Sequence, residues 1–169
     1  MPGMQFESQT VEQVLLVAKD MTTKVSNCWA ITADQRGGAN ARVVQPFFSQ
    51  LDQDGWIVRF LTSGSSRKAA EIASSGRITL GYQYDPEQAC LTLVGTARIN
   101  DDRGYLRDNW RTEWNFFFPE GPSDVDAVVV EVTVERIELL NLLRGITAPP
   151  NGLRAATLLR AASGGWQSP

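Results

Sequence analysis

The sequence predicts a mainly β domain, in which six antiparallel strands form a small barrel, closed or partly open, with helices at its ends. Three observations carry this expectation. Six segments rich in β-branched and aromatic residues are separated by turn-length Gly, Pro, Asn and Asp clusters, so sequential strands pair as hairpins. Only two or three segments have a helical period, too few to alternate with strands in a parallel sheet. The chain has 169 residues, 43% of them hydrophobic, enough for one well-filled core and too few for two.

The first helix opens at Thr10, where Thr10 and Gln13 form a T-x-x-Q capping box ahead of Val11, Val14, Leu15 and Ala18 on one face. Beyond Met21 the pattern turns to strands: VSNCWAITA, a turn at DQRGG, ARVVQPFF, a turn at DQDG, then WIVRFLT. A helix follows from about Ser66 to Ser74, with Ser65 as the candidate N-cap, Ala69, Ile72 and Ala73 as its apolar face and Gly76 as its stop. RITLGYQY and ACLTLVGTARIN are the next strands, divided by the turn-forming Asp85-Pro86, and a second helix of this half spans about Asp102 to Trp114. The last strand, AVVVEVTVERIEL, alternates after its opening valines. From Arg144 onward, Pro/Gly-rich flanks surround room for one short helix at Leu153 to Ala162. The expected division is a barrel domain over 1–143 and a tail over 144–169.

Composition excludes several function classes. A net charge of −3 gives no global attraction to nucleic acid or to an anionic membrane. No apolar run approaches the roughly 20 residues of a membrane span, and the opening MPGMQFESQT lacks the basic and apolar regions of a secretory leader. A cytoplasmic location is the expectation. Cys28 and Cys90 are far apart and have no C-x-x-C spacing, so they read as free thiols rather than metal ligands or a redox dithiol. The sequence contains no histidine, which removes Ser-His-Asp and Cys-His catalysis, His-ligated zinc and proximal-His haem. Any chemistry therefore belongs to a cofactor, no side chain is assigned a catalytic role, and no metal is expected.

One stretch asks a sharper question. LTSGSSRKAAEIASSG places Arg67 and Lys68 in the first turn of a helix, the positive end of its dipole, where acidic residues are preferred. Ser65, Ser66, Arg67 and Lys68 permit either a capped helix with solvated cations or an anion site built from helix N–H groups, hydroxyls and two cations. Neither a Walker A loop nor a G-x-G-x-x-G fingerprint is present. Read the same way, Arg42 is either a salt-bridged arginine on the barrel rim or part of such a site, and Thr62 is either a plain strand-end hydroxyl or an anion donor. Trp110, Trp114, Phe116, Phe117 and Phe118 form a dense aromatic group suited to a core or a subunit interface.

The order of ARVVQPF, WIVRFLTSGSSRKAAEI, RITLGYQY, CLTLVGTARINDD, WRTEWNFFFPEGPSDVD and AVVVEVTVERIEL resembles the FMN-binding split-barrel superfamily related to pyridoxamine 5'-phosphate oxidase. Within it the series looks most like the general stress protein 26 branch, over roughly Thr10 to Leu140. The FLT…SRK block and FFFPEG together carry the likeness. The resemblance implies a six-stranded antiparallel split barrel that binds FMN. Arg67 and Lys68 would pair with the phosphate, and Ser66 and Thr62, at the end of the strand that contains Leu61, would add hydrogen bonds. Arg42, Val43, Val44 and Gln45 would line the flavin ring and ribityl chain. It also implies a homodimer with FMN in the subunit interface, where Trp114 and Phe118 are the first candidates to cover a partner's flavin.

Two departures qualify the match. Pyridoxamine phosphate oxidases carry a C-terminal Arg-x-His element that contacts substrate, which a chain without histidine lacks. Cys90 stands where those oxidases have a flavin-contacting Gln, and a thiol cannot supply an amide's donor and acceptor pair. The resemblance therefore implies an FMN-dependent oxidoreductase acting on a small redox substrate that the sequence does not name. Two other readings remain beside it: a flavin-buffering stress protein without turnover, and a split barrel that uses a deazaflavin coenzyme.

Overall fold

The structure, a computed structural model, describes residues 9–47 and 55–169. The polar opening over residues 1–8, Phe48 and the acidic part of the DQDG turn lie outside the described residues. Helix α1 (Val11–Lys24) starts at the capping box: Thr10 Oγ1 accepts from Gln13 N at 3.2 Å, and Thr10 N donates to Gln13 Oε1 at 2.9 Å. Its buried face is Val14, Val17, Ala18 and Met21, with Val11 and Leu15 at the margin.

Strands β1 (Cys28–Ala33) and β2 (Ala39–Val44) form the first hairpin, turned by Asp34, whose Oδ1 accepts from the N–H groups of Arg36 and Gly38, each at 2.8 Å. The ARVVQPFF strand is broken at Gln45 into β2 and a short β3 (Pro46–Phe47). Proline supplies no N–H for a continuous ladder, so the chain changes partner there: β2 pairs with β1, whereas β3 pairs with β4 (Ile57–Ser63). Helix α2 (Arg67–Ser75) follows, then β5 (Arg77–Tyr84) and β6 (Ala89–Asn100), then α3 (Arg103–Asn109) and a 3₁₀ turn over Thr112–Phe116. The helix expected over 102–114 thus ends five residues early, at Asn109, before the extended Trp110.

With β7 (Ala127–Asn141), the antiparallel order is β2-β1-β5-β6-β7-β4-β3. Its two edge strands are consecutive in the chain and joined through Gln45 alone, so the sheet must curl until its edges meet at that corner. The split in the barrel lies there. Inner-face residues such as Phe60, Leu80, Leu91, Leu93, Val130 and Ile137 are fully buried. The opening of β7 is buried on both faces, because Val129 packs outward against Phe47, Leu106 and Trp114. At Gly95 the β6–β7 register slips, and an added Cβ would lie 2.0 Å from the carbonyl oxygen of Thr133. Only glycine fits so close an approach at this bulge.

The helix expected at Leu153 to Ala162 is instead strand β8 (Ala156–Arg160), followed by β9 (Trp166–Gln167). The cause is tertiary. β4 covers β7 only as far as Thr133, and the backbone edge beyond it is paired by β8 at Arg136 to Leu139. Helix-favouring Ala, Leu and Arg yield to that edge, and Leu158 is buried beneath it. The tail is locked by an edge-to-face Trp56–Trp166 pair with ring centroids 5.9 Å apart and by Arg160 donating to the Gly55 carbonyl.

Candidate functional site

A cavity of about 740 Å³ opens at the corner where β2 becomes β3. Val43, Val44 and Gln45 form one wall, Leu61, Thr62 and Ser63 at the end of β4 another, and Lys68 of α2 reaches in. Trp114, Phe117 and Phe118 supply an aromatic side, and Asn27, Asp124 and Asp126 complete the rim. Strand alternation buries Thr62, and helical geometry turns the adjacent α2 residues Arg67 and Lys68 to different sides.

The two cations at the helix start have different fates. Arg67 is 71% exposed and lies 3.6 Å from Glu71, one turn on; it lines a separate groove of about 530 Å³ with Asp34, Arg36 and Glu71. Lys68 is 8% exposed; its ammonium donates to Thr62 Oγ1 and sits 5.9 Å from the centre of the Phe60 ring. Among the described residues no carboxylate pairs with it. Burial, reinforced by the nearby positive Arg42, holds its pKa below the ordinary lysine value. An ammonium with three donors and one hydroxyl acceptor, facing a cavity, is suited to an anion.

The loop leading into α2 is held from the far side of the cavity. Asp126 Oδ1 accepts from Ser65 N at 2.8 Å, and Gly64 N donates to the Asp126 carbonyl at 2.7 Å. Hydrogen bonds from Ser63 and Ser65 keep the Asp126 carboxyl below its usual pKa, so it is ionised at neutral pH. The helix N-cap is Ser66, not Ser65: Ser66 Oγ accepts from Ala69 N at 3.2 Å.

Of the residues singled out from sequence, the cavity gathers Val43, Val44, Gln45, Leu61, Thr62, Lys68, Trp114 and Phe118. Four stand outside its lining. Ser66 spends its oxygen on the cap, and Arg67 faces the groove. Arg42 is drawn to Glu71 Oε2, with Nη2 at 3.3 Å, and to Thr32 Oγ1, with Nη1 at 2.5 Å. Cys90 is exposed on β6 between Gln83 and Leu140, neither a lining residue. Sequence reading missed Asn27, Ser63, Asp124 and Asp126. The last two are visible as the SDVD before the final strand, but the contact of Asp126 with a loop some sixty residues earlier has no local signal.

The cavity fits FMN. Its volume lies within the roughly 300–1,000 Å³ of small-molecule sites, with a buried cation that pairs with no carboxylate among the described residues to meet a phosphate, and an aromatic side for a planar ring.

Comparison with known proteins bears on the fold and the family. A pyridoxine/pyridoxamine 5'-phosphate oxidase of Pseudoalteromonas translucida is 30% identical over 97 residues, 57% of this chain and 42% of that protein. The match thus spans less than half the relative's length. A Clostridium acetobutylicum protein related to general stress protein 26 superposes with a TM-score of 0.69 at 21% identity, covering 79% of this chain and 92% of the other. A pyridoxamine 5'-phosphate oxidase-related, FMN-binding protein from Nostoc punctiforme gives 0.59 at 14% identity, covering 94% and 93%. These two share the curled antiparallel sheet of a split barrel. The family model described as "Pyridoxamine 5'-phosphate oxidase like" matches residues 12–140, from the first turn of α1 almost to the end of β7, and the chain therefore belongs to that family.

Proposed function

We propose that this chain binds FMN in the 740 Å³ cavity and works as an FMN-dependent oxidoreductase, as a cytoplasmic homodimer. The observation that carries the reading is Lys68, a buried cation with no carboxylate partner among the described residues, beside an aromatic wall. Lys68 and Thr62 would hold the phosphate, with the start of α2 adding backbone donors. Val43, Val44 and Gln45 would line the ring and ribityl chain, and Trp114 and Phe118 would exclude water from one side.

FMN supplies hydride or single-electron transfer when bound, which suits a chain with no histidine. The protein's part is to bind, orient and shield. The proposed dimer is supported by apolar side chains beside the cavity: Trp29 and Val43 face each other across β1 and β2 and are 50% and 56% exposed, and Phe117 is 70% exposed. Among the described residues, no helix is long and apolar enough to cross a membrane.

The test is the visible spectrum of the purified protein, followed by FMN titration and then anaerobic bleaching with a reduced nicotinamide. A flavin spectrum and saturable binding, with bleaching and reoxidation by an added acceptor, support the enzyme reading. Saturable binding without turnover by any donor or acceptor would make it a flavin carrier. No binding would refute the site. Size-exclusion chromatography of Val43→Glu should show a monomer that has lost FMN.

A further inference from the structure

Glu71 is the most heavily engaged side chain near the cavity, yet it is not part of the lining. Its carboxylate is buried at the second turn of α2 and draws together three elements. Oε1 accepts from Asn40 Nδ2 at 2.8 Å and lies 3.6 Å from Arg67 Nε. Oε2 accepts from the Thr32 hydroxyl and from Arg42 at 3.3 and 3.4 Å. The Thr32 bond is the main cause of its lowered pKa, with Arg42 assisting, so it is an anion at neutral pH.

Its two arginines are held very differently. Arg42 is 21% exposed and has further acceptors in Thr32 Oγ1 and, at 3.0 Å, the Asn40 carbonyl. Arg67 has one long contact and is 71% exposed, the type of pair that water and competing anions readily replace. Arg67 also precedes Lys68 directly, so the cation on the cavity side and the tethered one on the groove side are neighbours in the chain.

We propose that Glu71 is a positioning residue that sets how many cations meet the ligand's anionic group: it fixes Arg42 permanently and holds Arg67 in reserve, and a phosphate bound at Lys68 competes with it for Arg67. This rests on the flavin-phosphate reading. Phosphate-bearing and phosphate-free flavins then differ less in affinity than two free cations would make them. Glu71 weakens the grip on phosphate while leaving the ring side of the cavity untouched.

The experiment titrates FMN and riboflavin into wild type, Glu71→Gln, Arg67→Ala and the double variant, read by flavin fluorescence. Glu71→Gln should bind FMN about three- to tenfold tighter, with riboflavin unchanged, and adding Arg67→Ala should abolish the gain. Weaker FMN binding, equal changes for both flavins, or a gain that survives Arg67→Ala would overturn the proposal. A general structural disturbance would move riboflavin as well. If wild type bound no FMN the flavin reading would fall, and inorganic phosphate would still judge Glu71. A larger phosphate-induced rise in Tm for Glu71→Gln than for wild type supports it, and equal rises overturn it. Should Glu71→Gln not fold, the Arg67 Nε resonance of wild type reads the same exchange, with a shift on adding FMN or phosphate in support and an unmoved signal against.

Discussion

Replacing Lys68 with Met separates stability from ligand affinity, as expected of a buried cation with no carboxylate partner among the described residues. The ammonium is almost fully buried, with one hydroxyl partner. A lysine pKa held below 10.5 means that folding favours the neutral amine. The benefit is present above pH 10.5 and is lost as pH falls through the lowered folded value, so at neutral pH the charge opposes folding. Methionine keeps most of the volume and the contact with Phe60, and removes that opposition at the expense of the Thr62 hydrogen bond. The ligand-free variant should therefore melt no lower than wild type. A lost charge-assisted phosphate bond is worth about 1.5–3 kcal/mol, so FMN should bind roughly 10- to 150-fold more weakly, while riboflavin stays within about twofold. Calorimetry for Tm and fluorescence titration for both flavins read this directly. Wild-type FMN affinity in the variant, or a parallel loss of riboflavin, would refute the assignment of Lys68 to the phosphate.

Other features make separate predictions. Leu158→Ala should cost about 2–5 kcal/mol in urea unfolding, because Leu158 in β8 is 1% exposed, whereas an appended tail would give almost no effect. Gly95→Ala should give insoluble or strongly destabilised protein in expression and thermal-melt assays, since the new Cβ meets backbone rather than a movable side chain. Thiol titration at pH 8 should find Cys90 reactive and Cys28 silent until denaturant is added, because burial pushes the Cys28 thiol up to about 12. That rise also fixes a sign: the contribution of Cys28 is complete below pH 9.0 and is lost as pH climbs toward about 12, so Cys28→Ala should flatten the alkaline limb of the stability curve.

Much was legible in the sequence because its cause is local. The Thr10–Gln13 box, the alternation in β4 to β6, the Asp34 turn and the Gly76 stop of α2 depend on residues a few positions apart. The valines that open β7 stood out in sequence as a break in its alternation, and the fold buries them on both faces. The unpaired charge at the start of α2 was legible too, as an anion-seeking pattern. What the sequence left open depends on contacts between distant segments. Leu153 to Ala162 has helical composition, and only the vacant edge of β7 makes it a strand. Arg67 and Lys68 look alike in sequence, but the fold buries one against Thr62 and gives the other to Glu71. Glu71 itself gathers Thr32, Asn40 and Arg42 from a hairpin some thirty to forty residues earlier. Sequence chose the charges and the periods; tertiary structure alone decided which charges were neutralised, because neutralisation depends on where the curled sheet brings its edges together.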